Sequence, residues 1–137
     1  MVLVDSSAWI EGLRRKGSLE VKLALEGLLD AYEAQWCVPV QLEVLGGASV
    51  RERKHLEFYF SIIPFRGCDQ NDWDRAVKFA WKIRDAGVSV PWMDALIASM
   101  ALHDGVRVYS IDRHFSEMAR VCGLQLYEPG YGGKYCP

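Results

Sequence analysis

The amino-acid sequence predicts an α/β fold with a mainly parallel central sheet of about five strands and helices on both of its faces. Short apolar segments with strand character alternate along the chain with longer segments of helical periodicity. The intervals between successive strands are long enough to hold a helix, as connections between parallel strands require. Ligands and catalytic groups in such sheets lie beyond the carboxyl ends of the strands.

Five segments have the composition of strands, being short, apolar and bounded by turn or helix-start residues. They are Val2 to Val4, Gln35 to Val38, Ser61 to Phe65, Val106 to Ser110 and Leu124 to Tyr127. Pro64 favours an edge or strand-end position for the third segment, because proline cannot donate a hydrogen bond to a neighbouring strand.

Helical periodicity fills the intervals between these strands. Six of the predicted helices are Ala8 to Arg15, Leu19 to Ala31, Val40 to Leu45, Arg51 to Phe60, Pro91 to His103 and Arg113 to Val121. A seventh, longer helix is predicted between Arg51 to Phe60 and Pro91 to His103. It is capped by Asn71 or Asp72, it ends at Gly87, and its apolar stripe consists of Trp73, Val77, Ala80, Trp81 and Ile83. We therefore predict one domain over residues 1–128, followed by a Gly-rich tail over residues 129–137 that we expect to be loose.

Composition excludes several classes of function. The net charge of −2 is not that of a protein that coats nucleic acid, although it is compatible with a nuclease that holds metal with acids. No apolar run approaches a membrane span and no signal peptide is recognisable, so we expect a cytoplasmic protein. The four cysteines lie far apart, without zinc-ligand spacing, and are predicted to be incidental thiols.

The first carboxylate raises a choice of roles. Asp5 directly follows the apolar run Val2 to Val4, in VLVDSSAWIE. It could cap the helix that follows, or it could lie at the strand end as a functional group.

Three further acids favour the functional role for Asp5. Asp112 follows the strand that ends at Ser110, so it lies at the same sheet edge. Glu43 and Asp94 lie near the starts of helices, in the apolar contexts VPVQLEVLGG and WMDALIASMA. Helices that follow parallel strands begin at that edge, so the four acids are predicted to converge. Asp5 then becomes the first candidate metal ligand, and Ser6 or Ser7 is expected to cap the helix that follows it.

Converging carboxylates repel one another, and a divalent cation removes the conflict. Oxygen ligands suit Mg²⁺ or Mn²⁺, which are often completed by a substrate phosphate. The predicted chemistry is metal-assisted hydrolysis of a phosphodiester. Ser7 and Ser110 could order a metal-bound water or orient a carboxylate.

These strings together resemble the PIN-domain nucleases, and most of all the VapC-type toxins of toxin–antitoxin pairs. The resemblance rests on VLVDSSAWIE, the isolated Glu43, WMDALIASMA and VYSIDRHF, and it covers Val2 to Leu126. It implies a three-layer α/β/α fold and a Mg²⁺- or Mn²⁺-dependent endoribonuclease that cuts structured RNA such as tRNA or rRNA.

The resemblance also assigns residues and partners. By position, Asp5, Glu43, Asp94 and Asp112 match the metal-binding acids, and Ser7 and Ser110 match hydroxyl residues beside them. Some members have a fifth acid where this chain has His114, which bears on how a second metal is held. The implied partners are a small antitoxin, whose tail covers the active site, and a second copy of the chain. Among nearby cations, Arg113 is a candidate contact to the scissile phosphate.

Other classes remain as alternatives. A receiver domain needs an acceptor Asp at the end of its central strand, but the segment SIIPFRG has no Asp before Asp69. An aspartyl-phosphate phosphatase needs D-x-D, where this chain has Asp5-Ser6-Ser7, so the sequence argues against both classes. A catalytically silent PIN-fold binding module, and a PIN nuclease of RNA processing rather than a toxin, stay open. The aromatic segment HLEFYFSIIPF and the tryptophans are candidate interfaces, although a helical aromatic stripe more often belongs to the core.

Overall fold

The computed structural model describes residues 1–137 and has a parallel sheet of four strands. The strands are β1 (Val2–Val4), β2 (Ala34–Cys37), β3 (Phe65–Arg66) and β4 (Arg107–Tyr109), in the order β3-β2-β1-β4. Leu126 adds a single parallel bridge to Val108 in place of a full fifth strand. The α/β class is therefore confirmed, with one strand fewer than predicted.

Seven α-helices and one short 3₁₀ turn connect and follow the strands. They are α1 (Ser6–Leu13), α2 (Leu19–Asp30), α3 (Val38–Gly46), α4 (Arg53–Phe60), α5 (Gln70–Asp85), α6 (Trp92–Asp104), α7 (Arg113–Ala119) and the 3₁₀ turn Tyr131–Gly133. Every side chain of β1 is fully buried, so helices cover both faces of the sheet, as a three-layer arrangement requires.

Register places the ends of β1 and β4 side by side. Val4 pairs with Tyr109, and the amide of Asp5 donates to the Tyr109 carbonyl over 2.9 Å. The residues that follow these two strands therefore leave the sheet together. This pairing determines where Asp5 and Ser110 meet.

The caps of α1 and α5 and the position of one strand differ from the prediction, and most other element boundaries shift by one or two residues. Helix α1 begins at Ser6 because Asp5 itself caps it, and α5 is capped by Asp69, in a capping box with Asp72, instead of by Asn71 or Asp72. The segment predicted as Ser61 to Phe65 turns after α4, and only Phe65–Arg66 pairs with β2.

The aromatic residues divide between core and surface. Phe60 stacks on Trp36 in the core, as expected for a helical stripe, whereas Phe58 is exposed. On α5, the buried face carries Ala76, Phe79, Ala80 and Ile83 instead of the whole predicted stripe. Trp73, Val77 and Trp81 face outward beside the exposed Trp92 of α6.

The tail is packed, in contrast to the expected looseness. Gly133 lies so close to α2 that a Cβ there would come within 2.5 Å of the Leu23 backbone, and a Cβ on Gly27 would come within 2.1 Å of the Gly133 carbonyl. Tyr135 stacks on Tyr127. The division into residues 1–128 and 129–137 stays a prediction.

The cysteines are all unpaired, as the incidental-thiol interpretation expects. Burial raises the pKa of Cys37 to about 12, so this thiol stays protonated near neutral pH. None of the helices is both long and apolar enough to cross a bilayer.

Candidate active site

Three of the four predicted acids occupy helix starts or first turns beyond the carboxyl edge of the sheet, and Glu43 lies in the second turn of its helix. Asp5 follows β1 and caps α1, and Asp112 follows β4 and caps α7. Asp94 lies in the first turn of α6, and Glu43 lies within α3, the helix that leaves β2. The topology therefore directs all four toward one region.

Asp5 is buried, with one oxygen fully engaged. Its Oδ2 accepts hydrogen bonds from the hydroxyls of Ser7 (2.6 Å) and Ser110 (2.8 Å), and from the Ser7 amide (3.3 Å). Its Oδ1 has only a long contact, 3.4 Å, from the Ser6 hydroxyl. Asp5 thus caps α1 with Oδ2, while Oδ1 keeps its capacity for another ligand. The expectation that Ser6 or Ser7 would cap the helix is wrong.

The two serine hydroxyls are oriented by backbone amides. Ser7 Oγ accepts from the Ile111 amide over 3.2 Å, and Ser110 Oγ accepts from the Asp112 amide over 2.9 Å. Each hydroxyl therefore accepts a hydrogen bond from a backbone amide and donates its own hydrogen to Asp5. The Ser7 and Ser110 side chains hold that carboxylate in one orientation.

Ser6 connects Glu43 to the same cluster. Its hydroxyl donates to Glu43 Oε2 over 2.6 Å and lies 3.4 Å from Asp5 Oδ1. Glu43 is on an exposed stretch of α3, so this bond draws its carboxylate toward the site. Sequence reasoning missed this role for Ser6, because two adjacent serines follow Asp5 and periodicity does not distinguish them.

Asp94, Asp112 and His114 form the tightest group. His114 Nδ1 lies 2.9 Å from Asp94 Oδ2 and 3.0 Å from Asp112 Oδ1, and one ligand atom of each residue lies within 4.8 Å of the others. Sequence reasoning treated His114 as a missing acid and did not predict this contact. The signal available was its position two residues after Asp112.

Burial, together with the negative charges of Asp5 and Asp112, raises the pKa of Asp94 to about 6, although the hydrogen bond with His114 acts to lower it. A positive charge beside such a carboxyl would stabilise its ionised form and offset the repulsion from the neighbouring acids. The donor set, four carboxylates and one imidazole, fits a divalent ion with oxygen and nitrogen ligands. Asp94, Asp112 and His114 lie close enough together that they could hold such an ion, with Asp5 nearby and Glu43 joined to Asp5 through Ser6.

Arg113 is not drawn into this cluster. Its side chain is 83% exposed and its nearest acid is Glu117, 3.7 Å away. The guanidinium is one residue from Asp112 and faces solvent. It is therefore accessible to a large substrate.

Comparison with known proteins identifies the class. Residues 2–121 match the PIN domain family, and the chain belongs to it. Within that family it is a relative of the VapC ribonucleases. It is 33% identical over 132 residues to Ribonuclease VapC11 of Mycobacterium tuberculosis, and the aligned residues cover 91% of this chain and 96% of that protein.

Solved structures share the fold at low sequence identity. A toxin–antitoxin complex from Klebsiella pneumoniae aligns with a TM-score of 0.72 at 20% identity, covering 93% of this chain and 99% of the other. VapC20 of M. tuberculosis, described as a sarcin–ricin loop cleaving toxin, aligns with a TM-score of 0.66 at 17% identity, covering 91% and 99%. The predicted three-layer PIN-like fold is thereby confirmed.

Proposed function

We propose that the protein is a divalent-metal-dependent endoribonuclease, a VapC-type toxin that hydrolyses phosphodiester bonds in structured RNA such as tRNA or rRNA. The observation that carries the proposal is the meeting of Asp5, Asp94 and Asp112 at one sheet edge, with Glu43 joined through Ser6. The kinship with VapC ribonucleases supports RNA as the substrate.

Asp5, Asp94, Asp112 and Glu43 would hold Mg²⁺ or Mn²⁺, and the bound ion would lower the pKa of a water and shield the charge of the phosphate. Asp5 presents Oδ1 because Ser7 and Ser110 occupy Oδ2. Glu43 is the most exposed of these acids, and we propose that its carboxylate accepts a proton from an attacking water.

Arg113 is proposed to bind an RNA phosphate. Its guanidinium is exposed beside Asp112, and a guanidinium can donate two parallel hydrogen bonds to phosphate. Because the chain carries a net charge of −2, local cations such as this one must offset repulsion between RNA and the acidic cluster.

An antitoxin segment is proposed to occupy a groove beside the acids. The groove has a volume of about 370 Å³, and Glu43 lies in its lining. Its apolar wall consists of Ile10, Leu13, Val44, Ala48 and Leu56. A segment bound there would reach the metal ligands, as an inhibitor must. The toxin–antitoxin complex of similar fold supports a partner of this kind.

We also propose a homodimer and a cytoplasmic site of action, where structured RNA is available. The outward faces of α5 and α6 support the dimer: Trp81 is 60% exposed and Trp92 is 64% exposed. Exposed apolar patches of this kind mark protein contacts. Light scattering of the wild type and of Trp81→Ala would test this contact.

The experiment that tests the function is metal-dependent cleavage of RNA. Wild-type protein is incubated with total RNA in Mg²⁺, in Mn²⁺ and in EDTA, beside Asp5→Asn, Asp94→Asn and the surface control Asp85→Asn. We expect discrete cleavage by the wild type and the control only, and none in EDTA. Cleavage by Asp5→Asn at the wild-type rate, or persisting in EDTA, would contradict the mechanism.

Absence of cleavage by the wild type under every metal would instead favour a silent binding module. Toxicity is tested separately, by growth arrest on expression that the product of a small neighbouring gene relieves. Cleavage without arrest would indicate a nuclease of RNA processing.

A further inference from the structure

His114 occupies the position that completes the acidic cluster. It lies in the first turn of α7, two residues after Asp112, which caps that helix and accepts a hydrogen bond from the His114 amide over 3.0 Å. The cap fixes the backbone of His114 relative to Asp112. The imidazole is then directed toward Asp94 on α6, so that one ring nitrogen faces two carboxylates from different helices.

The distances from His114 Nδ1 to the two carboxylate oxygens match those between neighbouring ligands of one ion. In an octahedral site with bonds of about 2.1 Å, adjacent ligand atoms lie about 3.0 Å apart. His114 Nδ1 lies 2.9 Å from Asp94 Oδ2 and 3.0 Å from Asp112 Oδ1. Either a proton on Nδ1 or a metal ion can therefore join these three atoms, and an ion would take the place of the proton.

The two possibilities differ in the chemistry they give the site. As a protonated side chain, His114 would serve as a counter-ion to Asp94 and Asp112, and the ion would be held by oxygen alone. As a ligand, it would add a nitrogen to a set of oxygens. Imidazole suits transition metals better than Mg²⁺, which prefers oxygen ligands and retains its waters.

We infer that His114 is a metal ligand of this site through Nδ1, and that it makes the site prefer Mn²⁺ to Mg²⁺. The side chain is 26% exposed, which leaves it access to solvent ions while its ring is held between the two helices. The inference rests on the proposed metal-dependent function and adds the identity of one ligand and the selectivity that follows from it.

The test is the spectrum of bound Mn²⁺ in the absence of RNA. A directly coordinated imidazole nitrogen gives ¹⁴N modulation in pulsed electron paramagnetic resonance, and a purely oxygen site does not. The proteins compared are wild type, His114→Asp, His114→Asn and the control His103→Gln. His103 is exposed near the end of α6, so the control removes a histidine without altering the cluster.

We expect ¹⁴N modulation in the wild type and in His103→Gln, and its loss in both His114 variants while Mn²⁺ remains bound. His114→Asp should lower the preference for Mn²⁺ over Mg²⁺, measured by competition, by at least about tenfold. Circular dichroism would identify a variant that fails to fold. Because two different side chains replace His114, the test still holds if one of the variants does not fold.

Bound Mn²⁺ without ¹⁴N modulation in the wild type would overturn the inference and leave His114 as a counter-ion. Modulation that persists in both His114 variants would overturn it as well. RNA cleavage is measured separately, so the two proposals can fail independently. Cleavage without ¹⁴N modulation rejects only the assignment of His114 as a metal ligand. Modulation without cleavage rejects only the proposed nuclease activity.

Discussion

The Ser110 hydroxyl donates to Asp5 Oδ2 over 2.8 Å and so joins two residues that are 105 positions apart in the chain. The contact follows from the pairing of Val4 with Tyr109, which brings the ends of β1 and β4 together. Because Ser7 donates to the same oxygen, Asp5 is held in one orientation before any ligand arrives. This orientation is the first of the properties that can be tested by mutation.

Ser110→Ala should weaken catalysis without removing a metal ligand. Loss of its hydroxyl removes one of the three hydrogen bonds to Asp5 Oδ2 and leaves the Asp112 amide without its acceptor. We expect RNA cleavage or Mn²⁺ affinity to fall by roughly 10- to 100-fold, the usual effect of removing a group that orients a ligand. Ser116→Ala is the matched control, because that serine bonds only to a backbone carbonyl of its own helix. Equal rates for the two variants would reject the orienting role.

Asp94→Asn should abolish cleavage and stabilise the metal-free protein. Burial raises the pKa of Asp94 to about 6 from an ordinary value of 3.8, so ionising this carboxyl costs more free energy in the folded protein than in the unfolded chain. Asparagine has no charge to bury and can still accept from His114, so we expect a gain on the order of 1–3 kcal/mol. Urea unfolding at pH 7 in EDTA measures the gain, and Asp85→Asn should change stability by less than about 0.5 kcal/mol.

The affinity for Mn²⁺ should depend on pH through the same carboxyl. A metal ligand must be deprotonated, and Asp94 with a pKa of about 6 is largely protonated at lower pH. We expect the affinity to rise between about pH 5 and about pH 7 and then to level off. The stability of the metal-free protein should change in the opposite direction. A carboxyl with a raised pKa contributes stability at low pH, and this contribution is lost as the pH rises through the folded-state pKa. An affinity that is flat over this range would contradict the assignment of Asp94.

A second buried carboxylate, Asp72, should behave in the opposite way to Asp94. Hydrogen bonds from Arg66, at 2.6 and 2.8 Å, hold the pKa of Asp72 well below its usual range, and the Asp69 amide and Arg75 act in the same direction. Asp72→Asn should cost about 1–3 kcal/mol, because Arg66 loses one buried carboxylate but keeps its hydrogen bonds to Asp104. The exposed Asp74→Asn is the control, and unfolding at pH 7 is the measurement.

The sign of the pH effect at Asp72 follows from its lowered pKa. Its stabilising contribution is present above the unfolded value of about 4 and is lost as the pH falls below it. The wild type should therefore lose stability in acid more steeply than Asp72→Asn does. If the free energy of unfolding falls equally with pH in the two proteins, the Asp72 carboxylate is not responsible for the loss.

Arg113→Ala should weaken RNA binding while the metal site stays intact. The exposed guanidinium is free to meet a phosphate, so its removal should raise KM and lower the salt dependence of binding by about one released ion. Arg120→Ala, at the other end of α7, is the control. A salt dependence that is the same for both variants would place Arg113 outside the RNA contact.

The positions of the acids were predictable because parallel strands end at one edge of a sheet. Asp5 and Asp112 follow β1 and β4, and no packing detail is needed to bring them to that edge. The contact of His114 with Asp94 was not predictable, since it depends on how α7 packs against α6. Exposure of Trp81 was missed for a similar reason: α5 has two apolar faces, and periodicity does not say which one the core covers.

The close approach of Gly133 to α2 has a consequence for genetic selection. Neither Gly27 nor Gly133 can accept a side chain without displacing backbone. If expression arrests growth, a collection of surviving alleles should contain changes at these glycines, which lie outside the acidic cluster. Such alleles would yield little folded protein, whereas survivors altered at Asp5 or Asp94 would accumulate intact. The abundance of each product in the survivors would thus separate lost chemistry from lost structure.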